Sequence, residues 1–113
     1  MIDNKNIEKL LEDLVGDLVQ EKYESIVNTG KGGGLSQKEI KNAIESYPGH
    51  ITMPNHKFFS NFHKYEYRPP HKKGCLVEFE LWYDEQESDL TLSAEILEEN
   101  GEFNIKIIDI HVL

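Results

Sequence analysis

In the stretch Leu76–Leu92, LVEFELWYDEQESDLTL, the residues Val77, Phe79, Leu81 and Tyr83 alternate with Leu76, Glu78, Glu80 and Trp82. After the polar interval Asp84 to Ser88 the alternation resumes in Leu90, Leu92, Ala94 and Ile96. A helix would repeat its apolar positions every three to four residues, so period two on both sides of a polar break predicts a β-hairpin with one face in the core and a five-residue connection. The other face and the turn are acidic. Between Gly74 and Ile105 there are ten acids (Glu78, Glu80, Asp84, Glu85, Glu87, Asp89, Glu95, Glu98, Glu99 and Glu102) and no Lys or Arg.

A sheet with one apolar face needs a cover, and the chain supplies it first. Ile7, Leu10, Leu11, Leu14, Val15, Leu18, Val19, Ile26 and Val27 follow one apolar stripe, which predicts a long amphipathic helix over residues 4–27 with Leu14 and Leu18 in the core. Asp3 suits its N-cap, and Ile2 and Ile7 stand as a hydrophobic staple. Gly16 weakens the middle by about 1 kcal/mol relative to Ala, a cost that close packing on the sheet would explain. Asn28–Gly34, NTGKGGG, is a connector; it lacks the order of a phosphate-binding loop and follows a helix instead of a strand. A second helix starts at Ser36, whose capping box with Glu39 and staple of Leu35 and Ile40 precede the buried face Ile40, Ala43, Ile44 and Tyr47; Pro48-Gly49 stops it.

The segment 50–73 is less regular. Ile51-Thr52-Met53 reads as a short extended piece, Phe58, Phe59 and Phe62 as a helical turn, and His63 to Arg68 as a strand that Pro69-Pro70 ends. It holds Lys57, Lys64, Arg68, Lys72 and Lys73 against Glu66, so the molecule is charge-polarised, with a basic side available to face the acids. His50, His56, His63 and His71 also lie here. Their spacings of six, seven and eight do not match the i, i+4 or cross-strand pairs that hold metal, and the acidic turn lacks the glycine and terminal Glu of a calcium loop. No metal and no cofactor is expected.

The last third reads as a meander. Asn100-Gly101 suits a tight turn with positive φ. Phe103, Ile105 and Ile107 share one face, but Ile108, Ile110 and Val112 continue one residue out of phase, so the final strand should be bulged near Ile107-Ile108 and the sheet strongly curved. The expected fold class is α+β: two N-terminal helices packed on a curved antiparallel sheet of three to four strands, similar to the cystatin-like or NTF2-like cone. At 113 residues, positions 1–113 should form one domain. The lone Cys75 suits a reducing compartment, the acids among the first residues exclude a secretory signal, and no apolar run spans a bilayer, so a cytoplasmic, membrane-free protein is expected. A net charge of −9 argues against nucleic-acid binding, which rests on neutralising phosphates, and favours a basic partner or none.

Tyr47-Pro48-Gly49, Leu81-Trp82-Tyr83-Asp84-Glu85, Ser88-Asp89-Leu90-Thr91-Leu92 and Ile108-Asp109-Ile110-His111-Val112-Leu113 resemble a family of small bacterial domains of uncharacterised function, with the recurring pieces YPG, LWTDEEGxSDLTL and DDIHVL. This chain has Tyr83 for Thr, Gln86 and Glu87 at the Glu-Gly of the turn, a turn one residue shorter, and Ile108 for the first Asp of the closing piece. In size, acidity and charge polarity the chain is also similar to immunity proteins of contact-dependent growth inhibition systems. That likeness implies a non-enzymatic inhibitor that covers a cognate basic toxin domain, a nuclease, since a site that binds RNA or DNA attracts an acidic cap. The contacts would be Glu78, Glu80, Trp82, Asp84, Glu85, Glu87 and Asp89. The alternative is a small-molecule-binding or enzymatic NTF2-like cone lined by Asp109, His111, Tyr65 and Trp82, with His111 as base and Asp109 beside it.

Overall fold

The computed structural model describes residues 2–68 and 73–112; Pro69, Pro70, His71, Lys72 and Leu113, which entered the sequence reading, lie outside the described residues. Helix α1 spans Asn4–Val19, and its N-cap Asp3 accepts a hydrogen bond from Asn6 N–H at 2.9 Å. Ile2 and Ile7 are both buried, as the staple requires, and Leu11, Leu14, Val15 and Leu18 form the buried stripe. The single helix expected over 4–27 is instead two. Glu21 takes φ 58°, its N–H donates to Leu18 O at 3.1 Å, and Lys22 N–H donates to Asp17 O at 2.9 Å. That is a Schellman motif with an acid where glycine usually stands. Helix α2, Tyr23–Asn28, then restarts and buries Tyr23 and Ile26. It closes with the same motif in ordinary chemistry: Gly30 at φ 81° bonds to Val27 O, and Lys31 N–H donates to Ile26 O. The description of Gly16 also changes, because a Cβ there would meet Met53 Cε at 3.9 Å, an ordinary contact.

Helix α3, Gln37–Glu45, carries the expected capping box: Glu39 N–H donates to Ser36 Oγ and Ser36 N–H to Glu39 Oε1. The Ser36 backbone N–H, followed by the Ser36 hydroxyl, favours the ionised carboxylate and holds Glu39 below its ordinary pKa. Strand β1 is Ile51–Thr52, a 3₁₀ turn covers His56–Ser60, and β2 is His63–Glu66, shorter than the 63–68 read from sequence. Strands β3 (Gly74–Tyr83), β4 (Gln86–Glu99) and β5 (Glu102–Val112) form the meander.

The sheet is antiparallel and five-stranded in order β1-β3-β4-β5, with β2 also pairing β3 beside β1, one strand more than expected. It curls into a half-barrel under the helices, giving the α+β architecture. Its inner face joins Val77, Phe79, Leu81, Leu92, Ala94, Ile96 and Ile107 to the helix stripes. Phe59 stacks on Phe79 with centroids 5.2 Å apart, and Phe58 packs edge-on against both Phe79 and Trp82, which sit on opposite faces of β3. The 3₁₀ turn therefore fills the stretch of the β3 edge between β1 and β2.

Curvature comes from two register shifts. In β5, Ser93 pairs with Asp109 and Ala94 with Ile107, leaving Ile108 as the extra residue at the expected position, 47% exposed. Ile107 N–H donates to Lys31 O at 2.8 Å, and Ile110 N–H to Asp109 Oδ1 at 2.9 Å. Gly33 (φ 61°) lies so close that a Cβ there would stand 2.2 Å from Ile107 O, so the connector is fitted to the bulge. In β4, Thr91 pairs with Glu80 but Glu87 with Trp82, so three residues oppose Leu81 alone. No helix among the described residues is long and apolar enough to cross a membrane.

Candidate functional site

Strict alternation in β3 puts Leu76, Glu78, Glu80 and Trp82 on the face away from the helices, all partly buried, while Cys75, Val77, Phe79, Leu81 and Tyr83 are in the core. Cross-strand partners share a face. The register therefore lays Trp82 beside Glu87; Glu80 beside Thr91 and His111; and His63, Glu78, Ser93 and Asp109 in one row. The expected single buried face is too simple for β4, where Thr91, Ser93 and Glu95 on this outer face are buried as well. A central strand of a curled sheet is covered by the side chains of its neighbours. Glu95 receives the Tyr67 hydroxyl at 2.7 Å and the Lys106 ammonium at 3.4 Å.

The outer face is thus a trough with Thr91, Ser93 and Glu95 along its floor, Glu78 and Glu80 on the β3 side, and Asp109, His111 and Lys106 on the β5 side. Burial, followed by the charge of Glu87, pushes Glu80 above its ordinary pKa; a hydrogen bond with Glu87 and the charge of Glu78 act the same way, against His63. Trp82 stands at one end of the trough. Its ring is half-buried against Phe58, and its Nε1–H is shielded from solvent with no hydrogen-bond partner among the described residues.

The other expected contacts have different surroundings. The connection between β3 and β4 is a two-residue turn, Asp84-Glu85, with φ 51° and 64°, not a five-residue loop, because Gln86 to Ser88 already belong to β4. Asp84 N–H donates to His50 O at 2.8 Å, His50 N–H donates to Asp84 Oδ1 at 3.1 Å, and Glu85 N–H donates to Thr52 Oγ1 at 2.9 Å. Gly49 (φ 95°) is required there, since a Cβ would lie 2.4 Å from Asp84 Oδ2. Asp89 accepts the Tyr47 hydroxyl at 2.5 Å, and Ser88 Oγ donates to Leu81 O at 2.6 Å and accepts from Leu90 N–H, bridging the β4 irregularity. The Tyr83 ring packs tilted against Tyr47 with centroids 4.6 Å apart, and its hydroxyl donates to Ile44 O. Tyr47-Pro48, Tyr83-Asp84 and Ser88-Asp89, with Val112, converge on one recess of about 480 Å³. Their contacts explain them as architecture: Asp84 and Asp89 hold the turn and the bulge, while Glu78, Glu80, Trp82 and Glu87 share the open face and Glu85 projects from the tip.

The residues of the alternative pocket separate. Tyr65 pairs with Leu76 in the row of Glu95 and Lys106, two rows from His111. Asp109 and His111 do approach, with Oδ2 and Nδ1 3.1 Å apart, but outside hydrogen-bonding geometry. Among the described residues no group of three or more His, Cys, Asp or Glu is placed to hold a metal. His56 pairs with Glu12 at 3.1 Å, and Lys64 turns to Asn4 Oδ1 and Glu66.

The sequence reading did not single out Glu21, Tyr23 and Glu45, which line a separate cleft with Gly49 and His50. An acid at the end of α1 and another at the end of α3 were the available signal. No curated protein and no solved structure matches the chain. A family model does, over residues 15–113, the span that holds the sheet, both β4 turns and the recess, and the chain therefore belongs to the family described as a domain of unknown function, DUF7668.

Proposed function

We propose that this protein is an immunity-type inhibitor that covers the active site of a cognate basic bacterial toxin domain, a nuclease, with the outer face of the β3–β4 hairpin. The observation that carries the reading is the grouping of Glu78, Glu80, Glu87 and half-buried Trp82 on one open face. Carboxylates pressed together at a cost to the free protein are relieved by a cationic partner, and a rigid aromatic ring beside them supplies the anchor that charge alone lacks. Glu85 at the turn extends the negative field; Asp84 and Asp89 contribute charge while holding the scaffold. Helices that precede a curled sheet support the likeness to a cystatin-like or NTF2-like cone, and a cytoplasmic site of action follows from the same proposal.

The test is binding to the toxin domain encoded beside this chain. Charge reversal at Glu85 and Glu87 is expected to slow association and flatten its salt dependence, and Trp82→Ala to speed dissociation mainly, with melting curves confirming that both variants fold. Equal death of toxin-expressing cells with and without the protein, or no salt-sensitive binding at micromolar concentration, overturns the proposal. Glu80→Gln separates binding from stability. A carboxyl raised in the folded state contributes stability below its unfolded pKa and loses it as pH rises through the folded value. The Gln variant should therefore melt higher near neutral pH and show no gain under acid conditions, while binding the partner more weakly.

A further inference from the structure

The edge of β5 that faces away from β4 is open over one short stretch. Ile107 N–H points off the sheet, since it donates to Lys31 O, and outward groups recur at every second residue of a strand. Ile105 and Phe103 therefore also aim N–H and C=O outward, and among the described residues these groups have no partner beyond the sheet. From Ile107 onward the connector and the bulge close the edge, which leaves Glu102–Lys106 free. Two grooves, of about 460 and 330 Å³, flank this stretch and meet at Leu10 and Phe103.

We propose that this stretch pairs antiparallel with the same stretch of a second copy of the chain, about a two-fold axis at Asn104, so that the two sheets become one. The sequence Glu102-Phe103-Asn104-Ile105-Lys106 is complementary to itself in that register. Phe103 stands opposite Ile105 of the second copy, both at hydrogen-bonding positions, so the pair exchanges two backbone bonds and the symmetry repeats them. On the core side these two apolar residues meet beside Leu10, in the grooves. On the outer side Glu102 stands opposite Lys106 of the second copy, and directly opposed unlike charges stabilise a strand pair. Glu102 is exposed and has no ion-pair partner among the described residues, while Lys106, bonded to Glu95, is still 41% exposed.

The alternatives in register are weaker. Centring the pair on Phe103 would set Lys106 opposite the Asn100-Gly101 turn and leave both charges unmatched. Centring it on Ile105 would require Ile107, whose N–H is already taken. A foreign strand could make the same backbone bonds, but the alternation of acid, apolar residue and base about Asn104 is matched by this chain itself. The axis stands perpendicular to the sheet, because residues of one parity share a face in both copies, and it closes the assembly at two. Each copy carries a net charge of −9, so general repulsion opposes the contact and a weak dimer is expected, with a Kd on the order of 100 μM.

Sedimentation velocity from about 1 μM to 1 mM, in about 0.15 M salt to screen the net charge, is the first test. The average mass should rise toward twice that of the chain. Glu102→Lys, at an exposed position, sets like charges opposite each other and should weaken the dimer by about tenfold or more. Disulfide trapping checks the register, with oxidised glutathione as the oxidant. Asn104→Cys should cross-link, since opposed Cα atoms at a position that is not hydrogen-bonded lie about 4.5 Å apart. Glu102→Cys should not, being roughly 13 Å along the strand from its own equivalent, and Cys75 is buried. Melting curves establish that each variant is folded. A chain that stays monomeric at about 1 mM, a dimer undiminished by Glu102→Lys, or equal cross-linking of the two Cys variants overturns the proposal. The row of Lys106 contains Leu76, six residues along β3 from Trp82, so toxin binding stands or falls separately.

Discussion

Strand β4 is closed at its two ends by turns of the same backbone geometry and opposite chemistry. Asp84-Glu85 and Asn100-Gly101 both place two residues at positive φ, the arrangement of a type I′ hairpin turn. Asn-Gly adopts it at little cost. Nothing lies within 4 Å of the place where a Cβ on Gly101 would be, so this turn is shaped by its own residues. Asp-Glu resists the same geometry, and three hydrogen bonds from His50 and Thr52, with the close approach of Gly49, hold it there. One turn is local, and the other is imposed by residues more than thirty positions away. The acids of this turn are kept in a backbone geometry they do not favour by contacts from outside it.

The comparison can be broken at its strongest point first. Gly49→Ala forces a Cβ into the Asp84 carboxylate from a left-handed backbone, and should cost about 2 to 4 kcal/mol in chemical denaturation. A cost no larger than that of an ordinary surface change would show that the imposed turn does not need its buttress. Asp84→Ala removes the acceptor for His50 N–H and should cost about 1 to 2 kcal/mol. Gly101→Ala, strained but unobstructed, should cost about 1 kcal/mol, with no effect on the far end of the strand by amide exchange. Glu85→Gly sharpens the contrast by its sign, raising stability by up to about 1 kcal/mol because the strain disappears while the Thr52 bond, made by the backbone, is kept. Gly16→Ala is a similar-sized gain in a helix with room for the methyl group, about 1 kcal/mol at most.

What was legible in the sequence is what depends on neighbours along the chain. Asp3, the Ser36–Glu39 box, the Asn100-Gly101 turn and the bulge at Ile107-Ile108 each rest on spacing within a few residues, and each is present. The break at Glu21 was hidden because the apolar stripe continues through it and the residue in the left-handed position is not glycine. The two-residue turn was hidden because Gln86 to Ser88 are polar and yet belong to a strand. For the candidate site, period two was enough to put Glu78, Glu80 and Trp82 on one face. The ties of Asp84 to His50 and of Asp89 to Tyr47 bring together residues 34 and 42 positions apart, beyond what local patterning can show.

Strand β5 closes one side of the sheet, and its sequence IKIIDI is the kind of β-branched, nearly neutral segment that stacks into fibrils when its edge is open. Lys31 O has taken the Ile107 N–H, the Asp109 carboxylate has taken that of Ile110, and the extra residue Ile108 twists the strand between them. A second strand approaching this edge would find two of its donors occupied and the ladder out of step. The glycine connector that looks like slack between two helices therefore works as a guard against self-assembly, and Gly33, pressed against Ile107 O, is the residue on which that guard depends.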